Sequence, residues 1–500
     1  MPSARKESLY IFSENFHTIG MKVETLLKRI KTDFGESADL LVRPSIVGGR
    51  QAYYVAIEGL TDKELLEEHV IKPLSLSEEV SPATLGEKVY LSSPVRLVKD
   101  RGQAVQSIAE GMTALLLAEE SEIALFSVKK WERRSVEEPP TSSVIKGPRE
   151  GFTEDVTVNA ALLRRRLKSR SLVIKERLIG KYTQTKVLVC YLSDVAAEKT
   201  VDLVNERLSH VEIDGVIDSS YLTKFLEDDP SSLFPQVGTL EKPDVVAAKL
   251  LEGRVAVFTD GSPIAITIPY IIMEDFQSPS DYYYSPYNAT LARFIRLFSI
   301  AVSLLFPSLF VAAELFHLQL IPLSFLLTIV SSIKGIPLSP SYEMFFTLLI
   351  FEILNEASVR MPKYVGMVVS IVGGLVLGET AVNAGIISAP TLMIVAFSGI
   401  CLFTVPELEK TFSIIRLLFL FVAGSIGLYG LIAAIVFLII YLVSFESYQT
   451  PLLAPFSPLI TKDLKDSFYK GFLIEQTRRP RSIVNGDRKR LSVNKNKGEK

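Results

Sequence analysis

Glu352 and Glu356 are four residues apart, as are Glu356 and Arg360, within YEMFFTLLIFEILNEASVRMPK (residues 342–363). On a helix that spacing places all three on one face, with Glu343 on the same helix. The segment is bounded by apolar runs, and ionisable groups at bilayer depth are expensive unless they face protein or a wet cavity. The face has two readings: an ion path or gate, or a polar knot in which Arg360 satisfies carboxylates and holds helices together. Glu379 stands alone between two apolar stretches. It is expected either to pair with Arg360 or Lys363 or to face an aqueous path. Gly374 and Gly378, in GGLVLGETAVNAGIIS (373–388), form a small-xxx-small spacing that suits close helix packing.

Other chemistry is absent from the sequence pattern. Four histidines (His17, His69, His210, His317) are scattered, and Cys190 and Cys401 lie in different neighbourhoods. No Ser/His/Asp or Cys/His arrangement, zinc spacing or glycine-rich phosphate loop is present, so neither an enzyme nor a cofactor or metal is expected. Cys190, inside KVLVCYL, reads as an inert core thiol. Arg164, Arg165, Arg166 and Lys168 form a basic cluster read as a solvated helix face. Over 500 residues, 54 basic against 56 acidic side chains give a net charge of −2, which excludes a general electrostatic case for nucleic acid.

The elements that hold these residues divide the chain in two. The first half reads as soluble α/β in two subdomains, residues 1–135 and 153–285, joined by a charged, proline-containing linker at 136–152. YYVAIE (53–58) reads as a strand, and Thr61-Asp62-Lys63-Glu64 as a capping box opening a helix. TALLLA and EIALFSV (113–128) read as a hairpin. KVLVCYL (186–192) is a strand covered on both faces, with Ser193 or Asp194 capping the next helix. Asp260-Gly261, between RVAVFTD and PIAITI, marks a second hairpin.

The preferred solvent changes near residue 291. Residues 297–313, 315–333, 364–378, 380–406 and 417–445 carry no Asp, Glu, Lys or Arg. The 29 positions of the last run would reach roughly 43 Å as helix, beyond the ~30 Å of a hydrocarbon core. It must therefore tilt, extend past the membrane or break near Gly424, Gly427 or Gly430. A multi-pass α-helical membrane domain over 286–447 is the expected architecture. The basic tail of 448–500, partly disordered by composition, is expected in the cytosol with the N-terminus, giving an even number of crossings. Contact of this tail with anionic lipid is open to it.

A series of ordered motifs resembles the A subunits of GerA-type germinant receptors of bacterial endospores. These are GPREGFTE (147–154), LLRRRLKS (162–169), EKPD (241–244), LLEGRVAV (250–257), DGSP (260–263) and QSPSDYYY (277–284). FEILNEASVRMP (351–362) and SIVGGLVLGETAVNAGIIS (370–388) complete them. Lys242, the stretch Asn355-Glu356-Ala357-Ser358 (one charge fewer) and the SFESYQTP segment depart from the family pattern, in charge pairing and turn geometry. The resemblance implies a spore inner-membrane receptor subunit that works with a transporter-like B subunit and a lipoprotein C subunit. It also implies a homo-oligomer that turns sensing of a small nutrient germinant into ion release, as a ligand-gated channel. A secondary transporter or a non-conducting scaffold are the alternatives. Arg254, Asp260 and Asp281, within these motifs, are the candidate subunit contacts.

Overall fold

The computed structural model describes residues 23–490 except 78–79, 83, 90, 92–93, 119, 130–145, 363–377, 473, 475 and 484–488. Lys363, Gly374, most of the expected linker and residues 491–500 lie outside the described residues.

The soluble half is one architecture built twice. In the first subdomain, α1 (Val23–Asp33) precedes β1 (Leu40–Val47) and β2 (Arg50–Ile57); after several short helical turns come β3 (Arg96–Val98), α2 (Arg101–Ala109), β4 (Thr113–Leu117) and β5 (Ile123–Phe126). The second repeats the order with α3 (Val156–Arg166), β6 (Leu172–Ile179), β7 (Thr185–Leu192), α4 (Glu198–Ser209), α5 (Ser219–Leu226), β8 (Gly238–Leu240), α6 (Pro243–Leu251), β9 (Val255–Thr259) and β10 (Ala265–Ile268). Both sheets are antiparallel, with strand orders β1-β2-β4-β5-β3 and β6-β7-β9-β10-β8. β4, β5, β9 and β10 are buried along their whole length, so their continuous apolar runs sit between covering helices.

Three local expectations are corrected. Asp62, not Thr61, caps the helix that begins at Lys63: its Oδ1 accepts from the Glu64 and Leu65 amides, both at 3.1 Å. Thr61 is instead held in a bridge to Lys129. After β7 the helix starts at Glu198 with Ala197 as uncapped N-cap, because residues 193–197 turn first. Arg164 is not on a solvated face. It is fully buried, and its guanidinium donates to Asp39 at 2.7 and 2.9 Å, to Ser37 Oγ at 3.0 Å and to the Ser169 carbonyl at 3.2 Å. This bidentate pair bolts the second subdomain to the first.

The helical half is centred on α7 (Pro286–Phe316), 31 residues long. Around it lie α8 (Leu323–Ile333), α9 (Pro340–Arg360), α10 (Gly378–Asn383), α11 (Ala389–Leu402), α12 (Glu409–Ile426) and α13 (Leu428–Ser444). Among the described residues only α7 is by itself long and apolar enough to cross a membrane. α11 and the segment Pro406–Ile426, bent by 112°, would together make a second span. The several uncharged runs therefore do not become as many clear spans. Pro322 and Pro390 start helices, and Gly427, with φ +78°, divides the 417–445 run into α12 and α13. Pro307 stays inside α7. After α13 the chain turns back through the short pair Glu446–Ser447 and Thr450–Pro451, and residues up to Ile483 pack against the second subdomain and the start of α7.

Candidate functional site

Polar side chains thread the helical half. Arg416, on α12, is fully buried; its Nη2 donates to Glu352 Oε1 of α9 at 2.5 Å and its Nη1 to Ser398 Oγ of α11 at 3.2 Å. The Phe351 ring lies 5.9 Å from the guanidinium carbon, and the Arg416 Nε has no partner. Nearer the start of α9, buried Glu343 accepts from the Ser388 amide and hydroxyl, both at 2.7 Å. Asn355 donates to Glu409 at 2.5 Å. On α7, the buried hydroxyls of Ser303 and Ser308 lack partners. A buried charged pair with one guanidinium N–H still unpartnered has hydrogen-bonding capacity left for water or an ion. The helices approach closely here: a Cβ on Gly399 would lie 2.2 Å from Phe351.

Sequence spacing placed Glu352, Glu356 and Arg360 together, and the structure divides them. A step of four residues turns a helix about 40° beyond a full revolution, so two steps carry Arg360 well round from Glu352. Glu356 and Arg360 pair with each other at 2.6 Å on the exposed side, whereas Glu352 turns inward to Arg416. Glu379 is exposed on α10. Gly378 is buried, and a Cβ there would meet Leu392 at 3.2 Å. Arg416 was missed because it follows a charged, surface-like start, EKTFSIIR, and its partner is 64 residues away.

A second ion cluster joins the soluble half to α7. Glu274 is paired with Lys249 and with Arg254, the latter at 2.5 Å, and all three are largely buried. Burial alone would raise the Glu274 carboxyl, but Arg254 and then Lys249 outweigh it and hold it below the ordinary carboxylate range. Burial raises the Glu252 carboxyl, and pushes Asp275, which accepts a 2.5 Å hydrogen bond from the Tyr270 hydroxyl, up to about 8. Asp281 is buried between Arg293 at 3.3 Å and Arg296 at 2.7 Å, both on α7. Arg293 also reaches Asp466 of the C-terminal segment, donating to its carbonyl at 2.6 Å. A cavity of about 230 Å³ opens among these groups, bordered by Glu252, Arg254, Asp275, Tyr282, Asp466 and Arg490. Arg254 and Asp281 thus have their partners inside this chain, while Asp260 is exposed and accepts from the Val156 amide at 3.2 Å.

Twin α/β subdomains, the second fastened through buried ion pairs to a bundle of apolar helices, are the architecture that holds these groups. The chain belongs to the family described as Bacillus/Clostridium GerA spore germination protein, which it matches over residues 28–482. It is 36% identical over 456 residues to the uncharacterized membrane protein YfkQ of Bacillus subtilis strain 168, covering 90% of this chain and 89% of that one. It is 32% identical over 469 residues to spore germination protein KA, covering 92% and 86%, and 33% identical over 476 residues to spore germination protein B1, covering 92% and 97%, both of the same strain. Among solved structures, the N-terminal domain of the A subunit of the Bacillus megaterium spore germinant receptor GerK3 is 27% identical. That match has a TM-score of 0.39 and covers 48% of this chain and 92% of that one.

Proposed function

We propose that this chain is the A subunit of a nutrient germinant receptor of the spore inner membrane, and that it converts nutrient sensing into ion release. The observation that carries the reading is similarity along about nine-tenths of the chain to spore germination proteins KA and B1. In this reading the helical half crosses the membrane more than once, with both termini in the cytosol. The chain acts as a homo-oligomer beside a transporter-like B subunit and a lipoprotein C subunit. The ion path runs by Glu352 and Arg416, whose buried pair is the closed gate. Exposed Glu356, Arg360 and Glu379 stand toward its mouth or a neighbouring copy, and Asp260 toward another subunit.

The test is genetic. Spores lacking this gene, alone among receptor genes, should lose potassium and dipicolinate release to one class of nutrient, and the gene in trans should restore it. Undiminished release to every nutrient tried would refute the proposal. A transporter would instead show substrate counterflow in proteoliposomes.

A further inference from the structure

The first turns of α7 are built with their polarity reversed. Arg293 and Ala289 point inward, 3% and 1% exposed, while Tyr287, Leu291, Phe294 and Phe298 are 75%, 60%, 55% and 57% exposed. Their spacing of four, three and four residues makes one outward apolar stripe. Charges inside and aromatic rings outside fit an apolar surround, and this stripe continues into the lipid-facing side of the helix.

The C-terminal segment lies against the same turns. Phe472 meets the Tyr287 ring edge-on, with centroids 6.0 Å apart, and the Lys470 amide donates to Thr290 Oγ1 at 3.1 Å. Its own apolar side chains also point away from the protein: Leu459 and Ile474 are 66% and 69% exposed. Its acids, by contrast, are engaged internally. Asp463 accepts from the Arg481 and Ser482 amides at 2.7 and 3.1 Å, and Asp466 pairs with Arg293 and Lys470. Lys462, Lys465, Arg478 and Arg481 line one open cleft of about 350 Å³, which Glu252, Asp463 and Asp466 also border.

We infer that residues 456–472 and Ile474, with this cationic cleft, form an interfacial collar that binds the anionic lipid surface around the base of α7. The apolar side chains sink to the boundary of headgroups and acyl chains, and the cations meet lipid phosphates. The inference rests on α7 crossing the bilayer. It sets the membrane surface at Tyr287, well before the charge-free run begins at Leu297, and places the Asp281–Arg293–Asp466 cluster at headgroup depth.

The experiment uses the full chain, with Cys190 and Cys401 replaced by alanine, in phosphatidylcholine vesicles with and without phosphatidylglycerol. A fluorophore is attached through Leu459→Cys or Ile474→Cys, with Leu309→Cys on α7 and Leu178→Cys on β6 as membrane and solvent controls. The collar predicts quenching of 459 and 474 by shallow-brominated lipid, and severalfold protection from aqueous iodide relative to 178. Phosphatidylglycerol should strengthen both effects. Removing one cleft cation, as in Lys462→Ala, should shift the docked-to-free ratio about fivefold toward free in those vesicles. Iodide reaching 459 and 474 as freely as 178, while lipid still quenches 309, would overturn the collar and leave the crossing intact. Protection from both quenchers would mean a protein-covered face and also overturn it. Loss of lipid quenching at 309 would remove the crossing itself, and the collar with it.

Discussion

The two α/β subdomains share one helix-strand-strand unit residue for residue, and within it they differ at a telling position. α2-β4-β5 and α6-β9-β10 run at a constant offset, and both helices close on a Glu-Gly pair: Glu110-Gly111 and Glu252-Gly253. Both glycines have positive φ, +88° and +100°, which a side chain at that position would strain. The next residue in the first copy is Met112, packed on its own subdomain's core. In the second it is Arg254, buried against Glu274. One backbone solution therefore accepts either a thioether or a guanidinium. The charge suits the neighbours that only the second copy has: the 270–283 segment, α7 and the C-terminal segment. The first copy stands as a bolted neighbour, and the second is the joint to the apolar helices.

The sharpest way to break this contrast is to give the second copy the first copy's residue. Arg254→Met leaves buried Glu274 with Lys249 alone and should cost roughly 3–5 kcal/mol. The volume-conserving Met112→Leu should cost less than about 1.5 kcal/mol. Urea unfolding of the full chain in detergent compares the two; equal losses would erase the distinction between joint and neighbour. Arg164→Ala tests the bolt between the copies. Its loss should approach that of Arg254→Met, with hydrogen exchange rising at residues 37–39 and 172–174, whereas unchanged exchange would mean the subdomains are held elsewhere.

A smaller, pH-dependent effect is expected at the joint. Because burial lifts Asp275 from the ordinary value near 3.9 to about 8, the folded chain keeps a proton that the unfolded chain has released. Its contribution to stability therefore falls as pH rises between those two values. Asp275→Asn should flatten that stretch of the unfolding profile, and an unaltered slope would assign the pH dependence to another group. The smallest effect is expected at Glu356→Gln, which removes only an exposed partner of Arg360. Protein level in the membrane should not change, and a marked fall would show that the pair is covered in the assembled receptor.

Much of this was legible because the signals are local. Alternating and continuous apolar runs placed β2, β4, β5, β7, β9 and β10, and Asp260-Gly261 placed the β9–β10 hairpin. Gly427 was one of three glycines named as breaks, since only a residue tolerant of positive φ can end one helix and begin another there. What escaped depends on contacts distant in sequence. Arg164 looks like a solvated cation until Asp39, 125 residues earlier, arrives beside it. Glu352 looked like a companion of Glu356, but helical drift turned it toward Arg416. Among the described residues fewer charge-free runs become clear spans than their length alone suggests, because that length says nothing of where prolines and glycines divide it.

The Glu352–Arg416 pair is the proposed gate of an ion path. Glu352→Gln alone leaves Arg416 buried without its counter-charge and should lower the amount of receptor in the spore membrane. The double variant Glu352→Gln with Arg416→Met replaces both charges and should largely restore that amount. Potassium release after nutrient, measured in the same spores, decides the matter. The account predicts that release stays abnormal in the double variant despite a normal protein level. Normal release at normal level would contradict it and leave the pair as structural support.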